Sequence, residues 1–142
     1  KHEEAFVSIR KLNPLPGVCG RICTHPCETA CKRGQVDEPI AIAALKRFAA
    51  DGPWTDHYKA SLPDKRTEHK VAVVGSGPAG LAAAHDLALL GHNVTIFEGL
   101  PVLGGMLRVG VPEYRLPKSV LDEEIQAIVD LGVEVKTGVR IG

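Results

Sequence analysis

The chain has 142 residues, 44% of them hydrophobic, and its 17 basic and 17 acidic side chains leave a net charge of zero. A chain of this size can bury a core without the disulfide framework that a short secreted scaffold needs. The neutral balance gives no support to a nucleic-acid partner, and no stretch is apolar enough to predict membrane insertion. Clustered cysteines in such a chain indicate metal or redox chemistry in a reducing cytoplasm.

All four cysteines lie in residues 19–31, CGRICTHPCETAC, and successive cysteines are four positions apart. Disulfides between such close neighbours would be strained, which favours a zinc site or an iron–sulfur cluster. One continuous helix would hold the end thiols about 18 Å apart, too far to share one ion. Gly20 and Pro26 therefore predict a broken helix, with the chain folding back or the thiols serving more than one centre. The spacing matches neither the usual zinc pairs nor the common ferredoxin run, so both metals stay open, with His25 as a candidate zinc ligand.

A helix is predicted next, over residues 37–53, DEPIAIAALKRFAADGP. Asp37 is the expected N-cap, Pro39 falls in the first turn, and Gly52–Pro53 is a firm stop. The predicted apolar line along this helix consists of Ile40, Ala44 and Phe48, widened by Leu45 and Ala49.

The change in composition along the chain predicts that it is divided into three parts. Residues 1–52 are predicted to form a small helical, cysteine-rich domain, and residues 53–69 a polar linker. Residues 70–142 contain three short apolar runs typical of buried parallel strands, KVAVVG, NVTIFE and VEVKTG. PAGLAAAHDLALLG and PKSVLDEEIQAIVDLG are typical of helices between them. The predicted fold class is therefore α/β, in which the helical domain precedes the first part of a Rossmann-like domain with a parallel sheet.

A glycine-rich turn joins the first predicted strand to its helix. In VAVVGSGPAG, Gly75, Gly77 and Gly80 form the G-x-G-x-x-G pattern, and Glu98 ends the next strand, as in a dinucleotide fingerprint. Gly75 permits the turn, Gly77 lets the backbone approach a pyrophosphate, and Gly80 lets the helix pack on the strand. The start of the helix would hold the phosphates. Glu98 would accept hydrogen bonds from a ribose and repel a 2′-phosphate, which disfavours NADP at this position; a strand–turn–helix without a ligand is the alternative.

The residues after Glu98 indicate which dinucleotide binds. Gly104 and Gly105 lie six and seven positions later, where a second backbone segment would run close to a cofactor. This arrangement resembles flavoproteins with two dinucleotide-binding half-sites, the first of which takes FAD. Arg115 would offer a cation to the flavin's phosphates or ring, or else it is a solvated surface arginine.

Three motifs in one order carry a resemblance that covers nearly the whole chain: NPLPGVCGRICTHPCETACKRG with DEPIAIAALKRFAAD, then VAVVGSGPAGLAAA, then GGMLRVGVPEYRLPK. Together they resemble the small (β) subunit of glutamate synthase and its relatives. The relatives include the N-terminal half of dihydropyrimidine dehydrogenase and the large subunit of NADH-dependent ferredoxin:NADP oxidoreductases. The resemblance implies a helical domain with two [4Fe–4S] clusters, followed by an FAD domain that an NAD(P)H domain interrupts. The chain would then be an internal fragment whose NAD(P)H site lies beyond Gly142.

The resemblance also implies ligands for the clusters. Cys23, Cys27 and Cys31 match cluster ligands that are shared between the two clusters, with the other ligands in a cysteine group upstream of this chain. If CETAC is helical, Cys27 and Cys31 lie one turn apart, about 6 Å along the axis, and would face adjacent clusters. Cys19 matches a position that is not a thiol in every member. Some relatives complete one cluster with Gln or Glu near the position of Lys46. Lysine is not a normal iron ligand, which leaves open whether Cys19 takes over that role.

The FAD contacts that the resemblance implies lie in the two glycine turns and just beyond them: Gly75, Ser76, Gly77, Pro78, Ala79, Gly80, Glu98, Gly104, Gly105, Met106, Leu107 and Arg115. No catalytic residue is assigned.

The function that the resemblance implies is electron transfer. NAD(P)H would reduce FAD, and electrons would pass through the [4Fe–4S] clusters to a larger catalytic or electron-accepting partner subunit, with glutamate synthase as the favoured branch. The fragment alone is expected to be inactive. The alternative hypothesis is a non-catalytic module that docks a partner and whose thiols hold a structural zinc or a single iron–sulfur site.

Overall fold

The computed structural model describes residues 1–53 and 62–142, and the chain divides into two compact units, Lys1–Tyr58 and Lys59–Gly142. The boundary between the units falls within the predicted linker, residues 53–69, part of which lies outside the described residues. In the described part of the chain, no helix is both long enough and apolar enough to cross a membrane.

The first unit is built from helices. They are α1 (His2–Arg10), α2 (Pro16–Ile22), α3 (Pro26–Thr29) and α4 (Ile42–Ala50), with a 3₁₀ turn at Lys32–Gln35. A proline stands in the first turn of α2 and of α3, where its missing N–H costs no hydrogen bond. Helices α1 and α2 both pack on α4. The buried apolar side chains of this unit are Phe6, Leu15, Val18 and Ala49.

The predicted break in the cysteine segment is confirmed at Pro26, but Gly20 does not cause it. Gly20 lies inside α2, and a Cβ added to it would sit 2.8 Å from Arg47 Cα. This glycine therefore lets α2 approach α4 closely. The chain leaves α2 at Cys23 and turns at His25, whose φ of +42° is left-handed, before Pro26 begins α3.

Helix α4 begins later than the sequence predicts, and the expected N-cap at Asp37 is wrong. The helix begins at Ile42, because the Asp37 carboxylate is paired with Arg33 in the preceding turn. The backbone N–H of Ala43 donates to Glu28 Oε1 at 2.7 Å. A free N–H in the first turn of α4 is thus satisfied by a side chain of α3, which is distant in sequence.

The predicted apolar line of α4 is mostly exposed. Ala49 is buried, whereas Leu45 is 58% exposed and Phe48 is 56% exposed. Ile40 precedes the helix and is 49% exposed. Together with residues of α1, Leu45 and Phe48 line an apolar groove on the surface of the first unit.

The second unit is an α/β structure, as predicted. Its strands are β1 (Lys70–Val74), β2 (Asn93–Glu98) and β3 (Glu134–Thr137), and its helices are α5 (Pro78–Leu89), α6 (Met106–Val109) and α7 (Lys118–Val129). The strands form one parallel sheet in the order β1-β2-β3. Helix α5 packs on β1 and β2, and α7 packs on α5 and α6. The short helix α6 lies where the sequence predicts only a glycine-rich loop.

The core and the strand register of this unit position the glycine turn. The buried apolar side chains of α5, β2 and α7 are Leu81, Ala84, Ala88, Val94, Ile96, Leu121, Ile125 and Ile128. Val74 of β1 pairs with Phe97 of β2, and the N–H of Gly75 donates to the Phe97 carbonyl at 2.8 Å. The ends of β1 and β2 therefore bring the glycine turn and Glu98 to the same edge of the sheet.

Candidate functional site

The glycine turn has the geometry that a close backbone approach requires. Gly75 has a φ of +90°, which glycine adopts without strain. A Cβ added to Gly80 would overlap the carbonyl oxygen of Gly75, so only glycine lets the start of α5 lie against the turn. The roles predicted for these two glycines agree with this packing.

Gly77 has no neighbour on the side where a Cβ would project, since no atom lies within 4 Å of that position. It is also the N-cap of α5, and no side chain caps this end of the helix. The first N–H groups of a helix have no partner within the helix, and the helix dipole favours an anion beside them. This end of α5 is thus suited to a phosphate group, with Gly77 leaving the approach open.

The Glu98 carboxylate is buried at the end of β2 and is held by protein donors. Its Oε2 accepts hydrogen bonds from the N–H of Ser76, at 2.8 Å, and from the Ser76 hydroxyl. Its Oε1 accepts from the N–H of Leu100 at 2.8 Å. The Ser76 hydroxyl, followed by the Leu100 N–H, holds the pKa of Glu98 below its ordinary value, although burial acts in the opposite direction. Glu98 is therefore ionised at neutral pH, with both of its oxygens able only to accept hydrogen bonds.

The second glycine pair lies against the first turn. Gly104 and Gly105 both have positive φ, +112° and +50°. The N–H of Gly104 donates to Ser76 Oγ at 3.1 Å, and a Cβ on Gly105 would sit 2.9 Å from Gly77 Cα. The structure thus brings together both glycine turns, which the sequence separates by nearly thirty residues, and Glu98.

The remaining residues of the predicted set are not drawn into this network. Leu107 is buried at 7% exposure, and Met106 is 68% exposed. Arg115 is exposed, and its backbone N–H donates to the Pro112 carbonyl. The predicted flavin contacts of these residues remain predictions. The sequence analysis did not predict that the Ser76 hydroxyl bridges Glu98 and Gly104. The presence of a hydroxyl side chain between the first two glycines of the pattern could have indicated this role.

The four cysteines occupy different local structures in the first unit. Cys19 lies within α2, Cys23 ends that helix, and Cys27 lies in α3. Cys31 lies beyond α3 in extended backbone, so the premise that CETAC forms one helix is wrong. The helix ends at Thr29. All four are free thiols, with Cys23 and Cys27 exposed.

Backbone donors surround two of the sulfurs. The N–H of Ile40, with that of Arg33, lowers the pKa of the Cys31 thiol below its ordinary value. The N–H of His25 donates to Cys23 Sγ at 3.3 Å. The donors at Cys31 favour its thiolate, which is the form that binds metal.

These thiols do not gather into one site. In residues 1–53 and 62–142, no three His, Cys, Asp or Glu side chains are grouped so that they could hold one ion. Nδ1 of His25, the candidate zinc ligand, lies 3.2 Å from Glu28 Oε2. The thiol chemistry fits a metal cluster, but the described residues do not complete a ligand set.

Comparison with known families covers both units. Residues 1–58 match the family described as dihydropyrimidine dehydrogenase domain II, 4Fe–4S cluster. Residues 73–136 match the NAD(P)-binding Rossmann-like domain. These matches and the fold define the class of protein: a helical iron–sulfur domain followed by a Rossmann-like nucleotide-binding domain with a parallel sheet.

The names of similar proteins agree with the family resemblance that the sequence motifs indicate. The chain is 46% identical to the NADP(+)-dependent formate dehydrogenase subunit beta of Moorella thermoacetica, over 100% of this chain and 23% of that protein. It is 44% identical to the NAD-dependent dihydropyrimidine dehydrogenase subunit PreT of Salmonella typhimurium, over 97% of this chain and 34% of that protein. It is 40% identical to the glutamate synthase (NADH) of Schizosaccharomyces pombe, over 99% of this chain and 7% of that protein.

The chain is therefore related to the glutamate synthase and dihydropyrimidine dehydrogenase proteins, and the predicted resemblance is confirmed. These relatives are named as NAD(P)-dependent oxidoreductases or their subunits. The chain spans no more than 34% of the length of any of these three.

Proposed function

We propose that this chain is part of an NAD(P)H-dependent flavin and iron–sulfur oxidoreductase that passes electrons through [4Fe–4S] clusters to a partner subunit. The observation that carries the proposal is the combination, in one chain, of a domain matched to a 4Fe–4S family and a dinucleotide turn whose Gly77 side is open. The names of the relatives support the same reaction class. Glutamate synthase is one branch of this family, and the proposed function is the same whichever final electron acceptor the partner supplies.

The dinucleotide in the second unit is proposed to be FAD. When bound, a flavin accepts a hydride from NAD(P)H and releases electrons one at a time. The N–H groups at the start of α5 would hold its pyrophosphate beside Gly77, and Glu98 would accept a hydrogen bond from its ribose. The negative charge of Glu98 disfavours the 2′-phosphate of NADP here. The family resemblance implies that NAD(P)H binds in another part of the full-length protein.

The cysteines of the first unit are proposed to supply part of the ligands of two clusters. Cys23, Cys27 and Cys31 are the proposed ligands, with Cys19 as a candidate in place of the residue near Lys46. Donors to the sulfurs of Cys23 and Cys31 support thiolate ligation. The remaining ligands would come from elsewhere in the full-length protein.

A larger electron-accepting subunit and a reducing cytoplasm are part of the proposal. Several relatives are named as subunits, which supports a partner. Four free cysteines, none of them in a disulfide, support a reducing compartment.

Anaerobic purification of the full-length protein tests the proposal. Iron, acid-labile sulfide and FAD should all be present, and NAD(P)H should bleach the flavin absorption. Stoichiometric zinc without iron would overturn the electron-transfer function and favour the non-catalytic docking module. Iron and sulfide without flavin would overturn the assignment of FAD to the second unit.

A further inference from the structure

Ser76 occupies a central position that the glycine pattern does not explain. Its side chain is completely buried. Its hydroxyl donates to Glu98 Oε2 and accepts from the N–H of Gly104 at 3.1 Å. A hydroxyl has one proton to donate and can accept, so both of its capacities are in use. One side chain thus joins the first glycine turn, the end of β2 and the second glycine turn.

The two oxygens of Glu98 are divided by these contacts. Oε2 accepts two hydrogen bonds, both from Ser76, whereas the N–H of Leu100 donates to Oε1. The N–H of Gly99 is a further, weaker donor to the carboxylate. A carboxylate oxygen can accept about two hydrogen bonds, so Oε2 is fully engaged by Ser76, and Oε1 is the oxygen that we assign to a ribose hydroxyl.

We propose that Ser76 is a positioning residue for the dinucleotide, which turns Oε1 of Glu98 toward the ribose and fixes the Gly104–Gly105 turn beside Gly77. This inference rests on the proposed function of the second unit. Ser76 itself need not touch the dinucleotide. It acts through the Glu98 carboxylate and the Gly104 amide, the two groups to which its hydroxyl is hydrogen-bonded.

Alanine at this position would fill nearly the same space but remove both hydrogen bonds of the side chain. The buried N–H of Gly104 would lose its acceptor, and the carboxylate would lose a donor. Leaving a buried polar group without a partner is costly, and hydrogen bonds to charged groups are among the stronger ones. The two glycine turns would therefore be less well ordered in the ligand-free protein, which weakens the binding of the dinucleotide.

Ser76→Ala in the full-length protein tests the proposal, with FAD titrated into protein from which the flavin has been removed. The dissociation constant should rise by about tenfold, the equivalent of one such hydrogen bond. Hydrogen exchange at the Gly104 amide should accelerate in the ligand-free variant. Ser119→Ala, which removes an exposed hydroxyl from α7 of the same unit, is the matched control and should change neither quantity.

The pH dependence of FAD binding separates positioning from a loss of packing. The Ser76 hydroxyl is the largest cause of the lowered pKa of Glu98, and the other donors to that carboxylate are uncharged backbone groups. Removing the hydroxyl raises the pKa of Glu98, so the loss of FAD affinity in acid should begin at a higher pH in Ser76→Ala. A packing defect alone would not change the pH at which FAD affinity begins to fall.

Failure of this inference is distinct from failure of the proposed function. If the parent protein binds no FAD, the proposed function is wrong and the role of Ser76 falls with it. If the parent binds FAD but Ser76→Ala has the same affinity, or the same pH profile, only the role of Ser76 is overturned. If Ser76→Ala does not fold, hydrogen exchange at the Gly104 amide of the parent protein provides the test. The protection of this amide from exchange should decline as the pH falls and Glu98 is protonated. Protection that does not change with the protonation of Glu98 would overturn the proposal.

Discussion

At Glu98, three donors converge on one carboxylate at the end of β2. They come from Ser76 and Leu100, and they hold the pKa of Glu98 below its ordinary value. A carboxylate whose pKa is lower in the folded chain than in the unfolded chain stabilises the fold at pH values above its pKa in the unfolded chain. That contribution is lost as the pH falls through the folded value, because protonation then disrupts the hydrogen bonds.

Glu98→Gln should lower the free energy of unfolding by about 1–3 kcal/mol at neutral pH, because it weakens hydrogen bonds to a buried charge. The difference from the parent should shrink in acid, where the parent also loses the charge. Urea unfolding at neutral and acidic pH measures both effects. Glu123→Gln, which changes an exposed carboxylate of α7, is the control. A difference that does not vary with pH would show that the ionised carboxylate is not its source.

The cysteines differ from one another in position, so their variants should differ in effect. The proposed division of the ligands between two clusters predicts that Cys27→Ser and Cys31→Ser each damage a different cluster of the full-length protein. Cys19→Ser should be the mildest, unless Cys19 takes the place of the ligand near Lys46. Electron paramagnetic resonance and iron analysis of the single variants, Cys23→Ser included, provide the measurement. Equal loss of one and the same centre in all four would mean a single site.

At the scale of elements, glycines decide how closely the helices approach their neighbours. Gly20 lets α2 lie on α4, and Gly80 lets α5 lie on the turn after β1. Gly77, three residues before Gly80, has open space instead. The same residue type thus serves packing at two positions and leaves room for a ligand at the third.

Gly77→Ala and Gly80→Ala form a matched pair. Gly77 has an ordinary φ of −65°, so alanine should leave stability unchanged or raise it by about 0.4–1 kcal/mol, while its methyl group weakens FAD binding. Gly80→Ala should destabilise the unit, because the methyl group would overlap the Gly75 carbonyl and outweigh the roughly 1 kcal/mol gain in helix propensity. Thermal unfolding and FAD titration distinguish the two. Unchanged FAD affinity in Gly77→Ala would show that no ligand passes beside Gly77.

At the scale of the whole molecule, the chain consists of two compact units with different chemistry. The helical unit presents thiols supported by backbone donors, and the α/β unit presents an uncapped helix end and a buried carboxylate. The chain spans only part of the length of the relatives that it matches. The proposed activity therefore belongs to the full-length protein, in which these units would hold the cofactors.

The sequence by itself determined the features that depend on short-range patterns. The strands β1, β2 and β3, the helices α5 and α7, and the break at Pro26 follow from apolar runs, glycine and proline, because these act on neighbouring residues. The G-x-G-x-x-G pattern and Glu98 located the candidate dinucleotide turn for the same reason. The three ordered motifs also carried the family resemblance, because each motif is a short run of neighbouring residues.

Only the tertiary structure decided the features that depend on residues distant in sequence. The start of α4 could not be predicted, because the N–H of Ala43 is satisfied by Glu28 of another helix. The place of Gly20 within α2 depends on the approach of α4. The link from Glu98 through Ser76 to Gly104 joins three segments that only the sheet brings together. Local propensities carry no information about such contacts, because their free energy is gained only when the fold is complete.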